Sequence, residues 1–147
     1  MPDEKRPIAE VKPVAMAQIE AARARLEGLS LPSPLVACGA APAAKRVSLK
    51  LENLQPIGSF KIRPIGNAVL ARPPAALSRG IYTTSTGNSA LGVAFMARRL
   101  GIQATAVVPA NAPQTKLDKL RRLGTRIDMR PTEDWWRAIR TGTLEGQ

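Results

Sequence analysis

Hydrophobic periodicity is clearest in the second part of the chain. Segments with the length of strands occur at residues 81–84, 104–108 and 125–129, and the middle one is continuously apolar. Apolar residues at helical spacing separate these segments, as with Leu117, Leu120 and Leu123. Gly101 and Gly124 predict the ends of two such helices. The alternation of strand and helix predicts an α/β fold, a parallel sheet flanked by helices.

The last helix of this series is predicted to begin at Thr132, whose hydroxyl can cap the first backbone N–H groups. Trp135 and Trp136 lie within it. We expect both indole rings to be buried rather than stacked on a ligand, because tryptophans on helices usually anchor cores or interfaces.

The first part of the chain carries weaker patterns. Ile19, Ala22 and Leu26 stand at helical spacing among charged residues, which predicts a surface helix. Val47 and Leu49 alternate with polar residues, which predicts a strand with one buried face.

A turn and a further helix are predicted after this strand. Pro56 and Gly58 indicate the turn, and the helix would bury Ile62, Ile65 and Val69. We therefore expect three segments: a disordered charged tail over residues 1–13, the N-terminal part of a larger domain over residues 14–78, and a small α/β subdomain over residues 79–147.

One lysine follows the turn directly. Lys61 comes after Ser59, a small polar capping residue, and Phe60, a flat side chain that could lie against a planar ring. A lysine fixed beside an aromatic ring suits a Schiff base with the aldehyde of pyridoxal phosphate (PLP). The alternative is a solvated lysine at a helix start, which is what most lysines are.

A second polar turn opens into the apolar helix after the first strand of the α/β pattern. Free backbone N–H groups at the helix start, together with nearby hydroxyl groups, suit a substrate carboxylate. The hydroxyl groups belong to Ser85, Thr86 and Ser89. An ordinary helix cap made by Asn88 or Ser89 accounts for the same residues, and both interpretations can hold together.

Composition narrows the possible chemistry. The 147 residues include no histidine and a single cysteine, Cys38. Serine-histidine triads, histidine-zinc sites and internal disulfides are therefore excluded, and we expect no metal site. The formal charge is +11, but the basic residues are scattered and aromatic residues make up only 3%. We therefore do not expect nucleic acid as a partner.

No apolar segment near the N-terminus resembles a signal peptide, and no run reaches the roughly 20 apolar residues of a membrane span. Together with the lone cysteine, this predicts a cytoplasmic protein without a membrane partner.

The stretches Gly58-Ser59-Phe60-Lys61 and Ser85-Thr86-Gly87-Asn88 together resemble the serine/threonine dehydratase family of PLP enzymes. Serine racemases, threonine synthases and cysteine synthases share its fold. The resemblance implies PLP fold type II, also called the tryptophan synthase beta-like fold.

The resemblance also implies roles for individual residues. Lys61 would carry PLP as a Schiff base, Phe60 would pack near its ring, and Asn88 would hydrogen-bond its phenolic oxygen. The substrate carboxylate would be surrounded by Ser85, Thr86 and Ser89.

Ile62 bears on the reaction, because dehydratases and serine racemases carry an apolar residue after the lysine, whereas cysteine and threonine synthases usually carry aspartate. The resemblance therefore implies a lyase that converts serine or threonine into a 2-oxo acid and ammonia. A racemase, or another enzyme of β-elimination, is the alternative within the family. Three residues depart from the glycine, histidine and glutamine common in dehydratases: Pro64, Ser89 and Leu91. Pro64 is expected to shift the helix start away from Lys61.

Related enzymes are considerably longer and carry a glycine-rich phosphate loop in the additional part. We therefore expect the chain to be a truncated, N-terminal fragment that is inactive alone. The rival interpretation is a non-catalytic remnant that acts as a basic binding module. The expected partner is an amino-acid substrate, and a homo-oligomer is left open.

Overall fold

The computed structural model describes residues 13–39 and 46–142. The predicted tail, residues 1–13, lies outside these ranges except for Pro13. Within the described ranges the elements are, in chain order, α1 (Met16–Arg25), β1 (Leu35–Ala37), β2 (Ser48–Lys50), a 3-10 turn (Glu52–Leu54), α2 (Ile62–Leu70), α3 (Pro74–Leu77), β3 (Ile81–Thr83), α4 (Asn88–Leu100), β4 (Ala104–Pro109), α5 (Gln114–Arg122), β5 (Arg126–Arg130) and α6 (Thr132–Thr141).

Strands β3, β4 and β5 form a parallel sheet in that order, with β4 in the centre. This confirms the predicted α/β architecture. Ala106 and Val108 of β4 are fully buried against residues of α4 and α5. Val107 points to the opposite face, where α6 contacts β4, and is also fully buried. The central strand is therefore covered on both faces, as parallel sheets require.

Helix α6 differs from its prediction in two respects. Its N-cap residue is Pro131, and no side chain caps the helix, so the predicted Thr132 cap is wrong. Trp135 is partly buried and its indole Nε1 donates to Val107 O at 3.0 Å, whereas Trp136 is 50% exposed. The adjacent positions point to different sides of the helix, so only one ring can reach the sheet.

The first part of the chain holds a two-stranded antiparallel ribbon. Strand β1 pairs with β2, with Val36 opposite Leu49. The side chains of both strands are exposed, so the predicted buried face is wrong. Alternation shows only that a strand could bury one face, and within the described ranges no second layer covers the ribbon.

The predicted surface helix is confirmed as α1, which buries none of its residues. Just after it, Leu26 and Leu29 turn inward and pack with Ile62 and Val69 of α2 and with Met96 of α4. This cluster joins residues on both sides of the predicted boundary near residue 78. The proposed segment limits themselves stay predictions.

None of the helices in the described ranges combines the length and the apolar character needed to cross a membrane.

Candidate active site

Lys61 lies at the start of α2 and its backbone is held on both sides. Its amide N–H donates to Ser59 Oγ at 3.3 Å, and its carbonyl oxygen accepts from the Ile65 amide at 3.2 Å. Ser59 is 6% exposed, so its hydroxyl group is fixed by burial as well as by this contact. The N-cap residue of α2 is Lys61 and no side chain caps the helix, so the predicted capping role of Ser59 is wrong.

Ile62 completes the anchoring of the lysine. Its side chain is fully buried and packs with Leu26, Leu29 and Met96. An aspartate at this position would be a buried charge, which is costly without a partner. In this chain, packing therefore requires an apolar residue directly after the lysine.

The amino group of Lys61 lies against the ring of the preceding residue. Nζ is 4.8 Å from the centroid of the Phe60 ring, within cation-π distance. Phe60 is 51% exposed, and Lys61 is half-buried. The Lys61 amine and a flat apolar surface are thus brought together.

Pro64 does not displace the helix. Helix α2 begins at Ile62, immediately after Lys61, and Pro64 stands in its first turn. Residues of the first turn have no intrahelical partner for their N–H groups, so the missing donor costs little. The expected shift of the helix start is therefore wrong.

The second polar turn lies between β3 and α4. Ser85, Thr86 and Ser89 are half-buried, and the Gly87 amide donates to Ser85 Oγ at 3.2 Å. The N-cap residue is Gly87, and no side-chain group caps α4, so the interpretation of Asn88 or Ser89 as the cap is wrong. The uncapped first turn directs backbone N–H groups and the positive end of the helix dipole towards this turn.

Helix α4 packs closely on α2 and on the turn before Lys61. A Cβ atom at Gly92 would lie 2.7 Å from Ile65 Cδ1 and 3.5 Å from Ile57 Cδ1. These isoleucines stand four residues after and four residues before Lys61. Asn88, one helical turn before Gly92, therefore begins the helix face that packs on the lysine-bearing turn. The turn also lies beyond the carboxyl end of β3, where parallel sheets bind ligands.

Sequence reasoning missed a group of polar residues around Lys61. Arg63 pairs with Glu52 through Nε to Oε2 at 2.9 Å and Nη2 to Oε1 at 3.0 Å. Its other contacts are Nη2 to Leu31 O at 2.8 Å and Nη1 to Ser30 Oγ at 3.2 Å. Ser33 Oγ donates to Glu52 Oε1 at 2.5 Å. The Arg63 guanidinium and the Ser33 hydroxyl hold the pKa of Glu52 at about 2, below its ordinary value of 4.5.

Gln55 is the third residue that contacts the same upstream segment. Its Nε2 donates to Leu31 O at 2.7 Å, and its Oε1 accepts from the Leu31 amide at 2.9 Å. Gln55 is 3% exposed. We call Glu52, Gln55 and Arg63, together with the segment from Ser30 to Ser33, the polar clamp. The sequence does place a carboxylate and an amide before Lys61 and an arginine after it. The segment that all three contact, Ser30 to Ser33, lies far upstream, so the sequence alone gave no sign that they act together.

Comparison with known proteins identifies the family. Residues 26–141 match the family described as pyridoxal-phosphate dependent enzyme. The biosynthetic L-threonine dehydratase of Burkholderia multivorans is 49% identical over 78 residues, which are 53% of this chain and 15% of that protein. The catabolic L-threonine dehydratase of Staphylococcus aureus is 37% identical over 117 residues, or 78% of this chain and 34% of that protein.

Among solved structures, maize serine racemase superposes with a TM-score of 0.77 at 29% identity, covering 89% of this chain and 43% of the racemase. The chain thus spans less than half the length of each of these three proteins. Because the family match spans residues 26–141, more than half of the chain, the chain belongs to the family of pyridoxal-phosphate dependent enzymes.

Proposed function

We propose that this chain supplies the lysine-bearing part of a PLP-dependent lyase that converts serine or threonine into a 2-oxo acid and ammonia. The observation that carries the proposal is the position of Lys61. Its amine lies beside an exposed aromatic face, on a helix packed against α4, whose uncapped start faces the second polar turn. The names of the dehydratase relatives support the choice of substrate.

The residues present fit the proposed cofactor. A primary amine is the group that binds the PLP aldehyde, and the half-exposed Phe60 ring offers a flat surface for the pyridine. Asn88, exposed at the first position of α4, is the proposed hydrogen-bond partner of the phenolic oxygen. Lys61 and these two side chains would therefore hold PLP.

When bound, PLP supplies an electron sink for the electron pair that remains when the substrate Cα loses its proton. The chain supplies orientation and proton transfer. The N–H groups of the first turn of α4 and the hydroxyl groups of Ser85, Thr86 and Ser89 bind the substrate carboxylate. Lys61 Nζ would accept the Cα proton as a general base.

Reductive trapping tests the role of Lys61. Borohydride reduction of the chain with PLP, followed by peptide mapping, is expected to place the label on Lys61. Lys116 and Lys119, on the exposed side of α5, serve as internal references. Label shared evenly among these lysines would contradict the proposal and favour the non-catalytic, basic binding module.

Two variants test separately the assignment of Asn88 to PLP and that of Ser85 to the substrate carboxylate. Asn88→Ala should weaken PLP binding about tenfold in an absorbance titration, because it removes one hydrogen bond to a charged group. Ser85→Ala should leave that affinity unchanged but raise the concentration of serine needed to protect Lys61 from reductive labelling. Equal effects of both variants on PLP affinity would remove the distinction between the two sites.

Racemisation is the second candidate, because maize serine racemase is among the similar structures. Both reactions begin with loss of the Cα proton, and only elimination releases a 2-oxo acid. Incubation of L-serine with the complete enzyme distinguishes the two through D-serine or 2-oxo acid formation.

The cytoplasmic location and a homo-oligomer stay predictions, which cell fractionation and light scattering test.

A further inference from the structure

Two side chains of the polar clamp, one before Lys61 and one after it, bind the same backbone oxygen. Gln55 Nε2 and Arg63 Nη2 both donate to the carbonyl oxygen of Leu31, at 2.7 and 2.8 Å. Gln55 precedes Lys61 by six residues and Arg63 follows it by two. Because both donors meet at one acceptor, the span of the turn between them is fixed by the clamp.

The clamp depends on the planar fork of arginine. Nε and Nη2 of Arg63 reach both oxygens of Glu52, while Nη2 also reaches Leu31 and Nη1 reaches Ser30. A lysine at this position would keep the positive charge but present it as a single point. The shape of the guanidinium, as well as its charge, therefore ties α2 to the upstream segment.

We propose that Glu52, Gln55 and Arg63 are positioning residues that set where the Lys61 amine stands. The proposal rests on the proposed function, since it concerns the amine that would bind PLP. None of the three needs to touch cofactor or substrate. They act through the backbone, because they hold the residues before and after Lys61 at a fixed distance from each other.

The test compares the polar clamp with a second ion pair of similar geometry. Arg130 and Asp128 on β5 form two hydrogen bonds of 2.9 and 2.8 Å, with side-chain exposures of 38% and 24%. The corresponding exposures of Arg63 and Glu52 are 34% and 19%. Asp128→Asn is thus a matched control for Glu52→Gln, away from the lysine-bearing turn.

The wild-type chain, Glu52→Gln, Arg63→Lys and Asp128→Asn are each treated with PLP and borohydride. The measured quantity is label on Lys61 relative to label on Lys116 and Lys119. In the two clamp variants we expect this ratio to fall about tenfold, the change that corresponds to one charge-assisted hydrogen bond. In Asp128→Asn it should stay at the wild-type value. Labelling is measured on folded protein isolated by size exclusion, and urea unfolding is recorded for every variant.

A folded Arg63→Lys or Glu52→Gln variant that keeps the wild-type ratio would overturn the positioning role. So would an equal fall in Asp128→Asn, because the effect would then follow general stability. A wild-type chain with no preference for Lys61 would instead contradict the proposed function, so the two failures are distinguishable.

Discussion

The part of the molecule that carries Lys61 and the part built around β4 are stabilised by different kinds of contact. In the β4 part, Ala106 and Val108 are fully buried in a cluster of apolar side chains, and Val107 is fully buried on the other face of the strand. Around Lys61, Glu52, Gln55 and Arg63 make directional contacts to an upstream segment. Apolar burial is non-directional, whereas hydrogen bonds fix distance and angle. The scaffold is therefore set by burial, and the proposed position of the Lys61 amine by polar contacts.

The largest expected effect is a cavity in the apolar part. Leu120 of α5 is fully buried in the cluster that covers β4. Leu120→Ala should lower the free energy of unfolding by about 3 kcal/mol, through lost burial and the cavity left behind. Urea unfolding measures the change. Leu100→Ala is the control, because it removes the same atoms from a side chain that is 39% exposed. An equal loss of unfolding free energy in both variants would show that burial of Leu120 does not stabilise this part.

Gly80, where the chain enters β3, gives the next largest effect. It has a φ of +89°, and an added Cβ atom would lie 2.5 Å from the backbone oxygen of Gln103. That oxygen accepts the Ile81 amide at 2.9 Å, so it cannot move without loosening the sheet. Gly80→Ala should cost about 3 kcal/mol or slightly less, for left-handed strain plus overlap.

Gly101→Ala is the matched control. Gly101 has a similar left-handed φ of +67°, but an added Cβ atom would meet nothing within 4 Å. Its cost should be about 1 kcal/mol, the conformational part alone. Equal losses in thermal unfolding of the two variants would mean that the Gln103 contact contributes nothing.

The polar clamp should make the free energy of unfolding depend on pH. The pKa of Glu52 is held at about 2 in the folded chain, below its ordinary value of 4.5. A depressed carboxyl pKa stabilises the folded state above the ordinary value and loses that contribution as pH falls towards the folded value. Glu52→Gln should therefore cost about 1 to 2 kcal/mol at pH 7, allowing for the partial exposure of Arg63.

Below pH 4.5 the difference between wild type and Glu52→Gln should shrink, and by pH 2 most of it should be gone. Urea midpoints measured across this range provide the check. A difference that stays constant from pH 7 to pH 2 would show that Glu52 does not stabilise the turn as a carboxylate.

The smallest effect is a gain in stability. Thr125 is 6% exposed, and its Oγ1 has no hydrogen-bond partner in the described part of the chain. Thr125→Val replaces a buried hydroxyl with a methyl group of similar size and should stabilise the fold by about 1 kcal/mol. Thr115→Val, at an exposed position of α5, should change little. Calorimetry that finds Thr125→Val destabilised would indicate an unrecognised partner for the hydroxyl.

The same contrast separates what the sequence predicted from what it did not. The β4 part was predicted well, because buried strands and amphipathic helices leave periodic patterns within a short window. The start of α4 was predicted less well. The sequence suggested a side-chain cap at Asn88 or Ser89, whereas the N-cap is Gly87 and no side chain caps the helix.

The polar clamp left no such pattern. Arg63 and Leu31 are 32 residues apart, and a contact between a side chain and a distant backbone oxygen has no period. The prediction that the strand with Val47 and Leu49 has a buried face was wrong for a related reason. Alternation describes the strand alone, and burial depends on whether another layer lies over it.

The placement of aromatic side chains gives the two parts separate optical signals. Both tryptophans of the sequence lie on α6, with ring centroids 4.8 Å apart, and the Trp135 indole is bonded to the central strand. Indole fluorescence therefore reports on the environment of β4. The lysine-bearing turn carries only Phe60, which does not absorb in the visible range where PLP does. With PLP bound at Lys61 as proposed, one sample followed at two wavelengths would show whether the lysine-bearing turn loosens before the sheet unfolds.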